Sequence, residues 1–407
     1  MNCRQAITAA VIGCTINVAA SADVVLDWNK VAIDAVVNAK QPGPTSTRSM
    51  TLVHAAMCES VNAIEGRYMP YRATPQPAPG ASAEAAAAGA AHAVLARLFP
   101  EQKAAFDAAL ALALGGSGRD AGALTAGAAF GATVGAELVT ARDDDGTAAS
   151  APYRPLAMPG RYVSTALPFY VGWAHARPFV MERPDQFRPG PPPMLTSPQW
   201  AADYNEIKLL GGKTSAVRTK EQTAIAQFWI VAGAPAYNPI VRELAGRGNR
   251  SLSQNARLFA LVYLAVADSL VAVFDAKYTY EFWRPQTAIR NGDLDGNDGT
   301  VVDTAWAPLV ENPMHPEYPC AHCINAAAVA AVLEAEFGQS TLAPFSMTSP
   351  TLPGISRQWT RIGDLASEVS NARVWSGVHF RNSTVVGEAM GRAIGELTVR
   401  KMLTPAK

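Results

Sequence analysis

The sequence predicts an all-α protein. Apolar residues recur at helical spacing through nearly every long apolar stretch, and alanine-rich runs are bounded by Pro and Gly. No alternating strand pattern of useful length occurs, and no fixed-period repeat. The chain has 407 residues, 49% of them hydrophobic, which is ample for a real core. Its 34 basic residues balance 34 acidic ones, so it lacks the basic excess of a nucleic-acid binder. Length alone allows two domains. We read residues 23–407 as a single helical domain, with helices and a long loop region over 23–200 and the chemistry-bearing helices over 201–407.

The elements follow in order. Residues 1–22 read as a secretory signal: Arg4 is the positive charge, 6–20 is apolar and small, and Ala20-Ser21-Ala22 fits the small-x-small cleavage rule. An ordinary N-terminal helix is the plain alternative. Val11-Ile12-Gly13-Cys14 resembles a lipoprotein box, but the apolar run continues past Cys14. The mature chain is therefore expected to be exported, to the periplasm or outside the cell. Helical spacing marks 24–38 and 48–66, separated by the breaker Gln41-Pro-Gly-Pro-Thr45. Alanine-rich helices follow at 81–98 and 101–114, split at Pro100, and at 121–143. Residues 144–200 are rich in Pro, Gly, Arg and aromatics, ending in Arg188-Pro-Gly-Pro-Pro-Pro-Met194; a long ordered loop of this kind is often functional. Helices resume at 197–210, 219–231, 255–280, 321–337 and 363–397. Beyond the N-terminus nothing approaches the ~18–20 uninterrupted apolar residues of a membrane span, so no transmembrane span is expected. Cys58, Cys320 and Cys323 remain after cleavage, which is no disulfide framework.

Three stretches in the C-terminal third carry the chemistry. In Lys277-Tyr-Thr-Tyr-Glu-Phe-Trp-Arg284-Pro285 the two cations are seven residues apart, in register after two turns of one helix. Aromatic neighbours, Phe274, Tyr278, Tyr280, Phe282 and Trp283, point to burial rather than a solvated basic stripe. Buried cations need anions, and Glu281 is a candidate. Pro319-Cys320-Ala321-His322 opens a helix whose free N–H groups and positive dipole end favour an anion. A proline-initiated helix with a surface histidine is the bland reading. Arg373 and His379 are six residues apart, about 120° on an unbroken helix, so either the pocket is reached from two edges or the helix bends at Ser376-Gly377. Three cations and two imidazoles together suit a tetrahedral oxyanion: donors for its oxygens, a nucleophile or ligand for the central atom, and an acid–base group opposite. Two other motifs weigh less. Cys320-Ala-His-Cys323 has thiol–disulfide oxidoreductase spacing but follows a proline-rich loop, not a strand; a disulfide there would block the pocket. Asp293-Leu-Asp-Gly-Asn-Asp-Gly299 lacks the calcium loop's glutamate, having Thr304 there, and reads as a solvated turn.

Lys-x6-Arg-Pro, Pro-x-x-His and Arg-x5-His, in this order, resemble the signature shared by vanadium-dependent haloperoxidases and type 2 phosphatidic acid phosphatases. Phe282-Trp-Arg-Pro-Gln-Thr-Ala-Ile-Arg290, His315-Pro-Glu-Tyr-Pro319, Ser376-Gly-Val-His-Phe-Arg381 and Val53-His-Ala-Ala-Met-Cys-Glu-Ser-Val-Asn-Ala-Ile64 are similar to the bacterial, secreted haloperoxidase-related branch. The resemblance covers most of the mature chain and is sharpest from 277 to 383. It implies a helical bundle of the vanadium haloperoxidase and acid phosphatase type. It also implies that Lys277, Arg284, Cys320, Ala321 (through its N–H) and Arg373 bind the oxyanion. His379 would be the vanadium ligand, or the nucleophile of a phosphatase, and His322 the acid–base group; Lys277 would polarise bound peroxide. His315 and Phe274 are halide-pocket candidates, and a histidine at 315 resembles bromide-oxidising members. The sequence departs from the family at Cys320 and Ala321, where Ser-Gly is usual, and at Ser383, where an acid often orients the coordinating histidine.

The expectation is thus a vanadate-dependent haloperoxidase-like enzyme that oxidises halide, bromide or iodide before chloride, with hydrogen peroxide and a small organic acceptor. The first alternative is a phosphomonoester hydrolase working through a phosphohistidine, with a phosphate ester as substrate and no cofactor. The second, prompted by Cys320 and Ser383, is an oxyanion-binding protein without turnover. A homo-oligomer is compatible with the sequence, which leaves the state of assembly open.

Overall fold

The computed structural model describes residues 23–115, 120–149, 152–164 and 166–406. The signal read at 1–22 lies outside them. Helix ends fall where capping chemistry puts them. Asp23 caps α1 (Val24–Asn38) by accepting from Val25 N. α2 (Gly43–Glu65) stops at Gly66, whose φ is 65°. It starts earlier than expected because Pro44 falls in its first turn, where a missing N–H costs nothing. α3 (Ala83–Leu98) is capped by Ser82, α4 spans Lys103–Leu114, and α5 (Ala121–Thr140) is capped by Asp120. The long loop follows, then α6 (Pro198–Gly211) and α7 (Lys220–Phe228).

α8 (Ala234–Ala245) is a helix that the sequence reading did not include, and it contains two prolines. Pro235 lies in the first turn. Pro239 forfeits one hydrogen bond, which burial of Tyr237, Ile240, Val241 and Leu244 outweighs. α9 spans Leu252–Tyr280 and α10 Pro285–Arg290. α11 (Ala321–Phe337) precedes an antiparallel hairpin, β1 (Phe345–Ser349) and β2 (Leu352–Trp359), the sheet found among the described residues. β1 alternates over only five residues, too few for a strand signal in sequence. The helix expected over 363–397 is two: α12 (Ile362–Trp375) and α13 (Arg381–Lys401), parted at Gly377, whose φ is 80°.

α9 is the axis, buried without a break from 258 to 277. α2 packs on it, as do α11 and α13. By length and composition α5 and α9 are long enough to cross a membrane; the qualifying window of α9 is wholly enclosed by protein and that of α5 is 44% buried. Two helix pairs, α3–α5 and α11–α13, approach so closely that a Cβ at Gly131 would lie 1.9 Å from Ala86 O, and one at Gly391 2.0 Å from Ile324 O.

α9 also anchors the long loop. Asp268 accepts from the backbone N–H of Phe179, Val180 and Met181, at 2.6, 2.8 and 2.6 Å. One helical stripe further on, Asp275 takes a bidentate pair from Arg188 at 2.7 and 2.6 Å. These ties fix where the aromatic part of the loop meets the end of α9.

Candidate active site

The three motifs meet at the C-terminal end of α9. Lys277 is fully buried, and its Nζ donates to the carbonyls of Pro316 and Glu317, at 2.9 and 2.7 Å. Arg284 does not share its helix, contrary to the register argument. Glu281 adopts φ 49° and ends α9, so Arg284 is the residue before α10. Glu281 itself pairs with Arg161 at 3.4 Å, not with the buried cations. Phe282 and Trp283 before Arg284, and Phe380 after His379, pack around Trp200 of α6, with the Phe380 ring centroid at 4.8 Å. This aromatic cluster holds the two site loops together.

Arg284 donates from Nε to His315 O at 3.0 Å and from Nη1 to Val378 O at 2.9 Å. Its Nη2 is 2.9 Å from His315 Nδ1. That nitrogen is also 3.1 Å from Pro316 O, so it faces a donor and an acceptor at once. Phe274 meets the His315 ring edge-on, at 5.5 Å between centroids. Arg373, in the last turn of α12, donates from Nη1 to Trp229 O at 2.9 Å, while its Nε has no partner.

His379 lies in the break between α12 and α13. The carboxylate beside it is Glu317, which the sequence reading missed: Glu317 Oε1 accepts from His379 Nδ1 at 2.8 Å and from Phe380 N at 3.1 Å. This turns the His379 Nε2 lone pair towards Arg284 Nη1, which donates to it over 3.4 Å. Ser383, the position where the acid was sought, does not hold the imidazole. Its Oγ and Glu317 Oε2 both lack a partner of hydrogen-bonding geometry, although the hydroxyl is near enough to favour the charged carboxylate. Glu317 stands in the quoted His315–Pro319 stretch; the only hint was an acid between two prolines, and its pairing spans 62 residues.

Cys320 is corrected as well. It forms a disulfide with Cys323, so no S–H is left to donate to an oxyanion. Both cysteines are fully buried, and Cys320 Sγ accepts from Cys323 N, capping α11. The bridge does not close the pocket. A cavity of about 220 Å³ remains, lined by Ala321, His322, Arg373, His379, His315 and Phe274 among others. Ala321 opens α11, where backbone N–H groups have no helical acceptor. His322 follows; its Nε2 has no partner of hydrogen-bonding geometry, although the backbone of Ile230 and Val231 lies near enough to favour the charged ring. The Asp293–Gly299 turn lies elsewhere and is not merely solvated: Asp295 is buried and accepts from Trp200 Nε1 at 2.7 Å.

The electrostatics describe an anion site. Three buried cations face one carboxylate. Burial, then the Arg284 charge, holds Lys277 well below the ordinary lysine range. Burial lowers Arg284 to about 10, and burial with the neighbouring Arg284 charge lowers Arg373 to about 10. Burial and the adjacent cations keep His315, His322 and His379 neutral well below the usual histidine range. Burial pushes Glu317 up to about 7. Surplus buried positive charge, the free Arg373 Nε and the free His322 Nε2 all fit a bound tetrahedral oxyanion. Lys277 and Arg284 differ from expectation in one respect: most of their N–H groups are turned onto backbone carbonyls rather than into the cavity.

Residues 257–406 match the protein family described as VCPO second helical-bundle domain. A solved structure described as the first bacterial vanadium-dependent iodoperoxidase superposes with a TM-score of 0.80 over 95% of this chain and 97% of that one, at 23% identity. The chain has the vanadium haloperoxidase fold. An apo-type bacterial vanadium-dependent chloroperoxidase superposes with a TM-score of 0.70 over 88% of this chain and 94% of that one, at 18% identity. The vanadium chloroperoxidase of Curvularia inaequalis is 27% identical over a region covering 36% of this chain and 29% of that protein. The match thus spans under a third of that relative's length. The vanadium haloperoxidase resemblance and the all-α fold class read from the sequence are borne out; the hairpin is the addition.

Proposed function

We propose that this protein is a vanadate-dependent haloperoxidase that oxidises bromide or iodide with hydrogen peroxide, acting after export. The observation that carries the reading is one cavity lined by Arg373 and two neutral imidazoles, with the buried cations Lys277 and Arg284 behind them. His379 Nε2 would hold the oxyanion's central atom. Glu317 fixes that tautomer by accepting the Nδ1–H hydrogen bond, and its charge raises the basicity of the ring. Arg373, Lys277, Arg284 and the Ala321 N–H would balance the oxygens. Bound vanadate would supply a Lewis acid that makes hydrogen peroxide electrophilic. His322, kept neutral, takes a proton from the incoming peroxide and returns it to the departing oxygen. His315 and Phe274 form the dry wall along which halide would approach.

The test is a paired assay on the mature protein and its His379→Ala variant. One arm holds vanadate, peroxide, bromide or iodide and a halogen-accepting dye. The other holds a chromogenic phosphate ester without vanadate. Vanadate-dependent halogenation lost in the variant is the expected result. Ester hydrolysis alone, lost in the variant, would move the protein to the phosphatases, with His379 as nucleophile. Silence in both arms would leave oxyanion binding without turnover.

A further inference from the structure

The cavity before the imidazoles would hold the oxyanion at its cationic end, and its other walls suit something besides the inorganic reactants. Its volume is about 220 Å³, whereas a water molecule's share of liquid is about 30 Å³ and an apolar cavity of about 150 Å³ takes up benzene. Away from the cationic end its walls are apolar: Phe169, Tyr170, Ile230, Tyr237, Leu270 and Phe274. Such walls solvate halide and peroxide poorly. Tyr170 and Phe274 pack at 5.1 Å between ring centroids. Phe169 and Ile230 stay 52% and 36% exposed, so two large apolar side chains meet solvent on a cavity wall.

One buried polar side chain on this cavity has no task in the oxyanion site; Glu311, also on its lining, is exposed. Asn325 lies on α11 one turn after His322, is 6% exposed and lines the cavity, and its Oδ1 has no hydrogen-bond partner. Tyr237 is already committed, donating to His322 O at 3.0 Å. A buried amide oxygen without a partner calls for a donor.

Taking the halide-oxidising reading as its base, we infer that the cavity binds the organic acceptor, a neutral aromatic of one or two rings that donates an O–H or N–H to Asn325. Halogenation then happens in the cavity, not in bulk solvent. Halide gives two electrons to the O–O bond of hydrogen peroxide, which breaks, and the hypohalous equivalent and one water result. The ring C–H bond breaks as the carbon–halogen bond forms. The ring proton and the released hydroxide make the second water. Arene, halide, hydrogen peroxide and one proton give haloarene and two waters.

Binding is measured first, by ligand-detected NMR on the mature protein without halide or peroxide, using phenol and anisole. The two share a ring, and only phenol donates. Phenol should bind about fivefold tighter, the worth of one hydrogen bond, and Asn325→Leu should erase that difference. Phe169→Ala, at an exposed loop position, should weaken both ligands. Next, the ortho-to-para ratio of bromophenol made by the enzyme is compared with that made by added hypobromous acid. The ratios should differ, and Phe169→Ala should move the enzyme towards the free reagent. Equal affinity for phenol and anisole in the unaltered protein, or a product ratio equal to the reagent's, overturns the inference. A phenol preference without any bromination would keep the ligand class and sink the halide-oxidising reading instead.

Discussion

Two clusters of buried polar side chains sit against α9, and only one of them has the makings of an active site. Near the N-terminal end, His54 stacks on Phe259 and Tyr263, at 4.7 and 5.2 Å, and its Nε2 meets Asn29 Nδ2 at 2.8 Å. Asn29 and Asn238 pair through both amides, at 2.8 and 3.1 Å, and Tyr263 donates to Asn238 at 2.7 Å. Arg242, partly exposed, donates to Asn29 at 2.9 Å. Burial, then Arg242, lowers His54 to about 3. At the other end, His379 is equally buried and equally neutral. Burial and a lowered histidine pKa therefore mark nothing by themselves. The difference is closure. The His54 cluster satisfies itself apart from His54 Nδ1, whereas the His379 cluster holds three cations against one acid and leaves Arg373 Nε and His322 Nε2 open. Unbalanced charge with an open guanidinium donor marks an anion site.

The comparison breaks most sharply on turnover. His379→Ala should lower halide oxidation by at least about a thousandfold, as when one member of a cooperating set is lost. His54→Phe should leave turnover alone and, by stranding the Asn29 amide, reduce stability by about 1–3 kcal/mol in urea unfolding. Equal losses of turnover would dissolve the distinction.

pH separates the clusters next. Glu317 is raised from 4.5 to about 7 in the fold. Between these values the native state holds a proton that the unfolded chain has released, so stability falls as pH rises. The anion-free protein should lose up to about 3 kcal/mol from pH 4.5 to pH 7 relative to Glu317→Gln, at ~1.4 kcal/mol per unit. His54 runs the other way: its neutral form stabilises fully above about 6.5, and that is lost as pH falls towards 3. Unfolding at the two pH values in both proteins reads the difference.

Moving the acid is a finer test. Glu317→Ala should weaken vanadate binding by about 10–100-fold. Ser383→Asp added to it should recover part of that loss, because Ser383 lies beside the Glu317 carboxylate. A double variant no better than the single one would confine Glu317 to packing. The smallest effect has an unusual sign. Arg373→Met should raise the stability of the anion-free protein by about 1 kcal/mol while weakening oxyanion binding, since it removes a buried charge. Asn238→Leu in the closed cluster should only destabilise.

Much of this was legible in the sequence, for local reasons. The helices at 24–38 and 321–337 came out residue for residue because Asp23 and the Pro-Cys start mark their ends. Lys277, Arg284, Arg373, His322 and His379 were legible as motifs. What was hidden depends on contacts distant in sequence. Glu317 meets His379 because the chain breaks at Gly377, and neither the break nor the pairing has a period to detect. Arg284 was misplaced because a non-glycine residue, Glu281, turns left-handed to end α9. Cys320 was read as a donor because it stands where the family has serine, although the Cys-x-x-Cys spacing allowed the disulfide that forms. The long loop was flagged, but Phe169 is held at the cavity by distant partners, its N–H donating to Met314 O at 2.7 Å and its carbonyl accepting from Tyr278 Oη.

The most direct test is calorimetric titration of the anion-free mature protein with vanadate, with phosphate as competitor. One vanadate per chain should bind, phosphate should displace it, and His379→Ala should weaken it at least a hundredfold while His54→Phe does not. Absent binding, or equal affinity in both variants, would contradict the claim that the buried cations form an oxyanion site around His379.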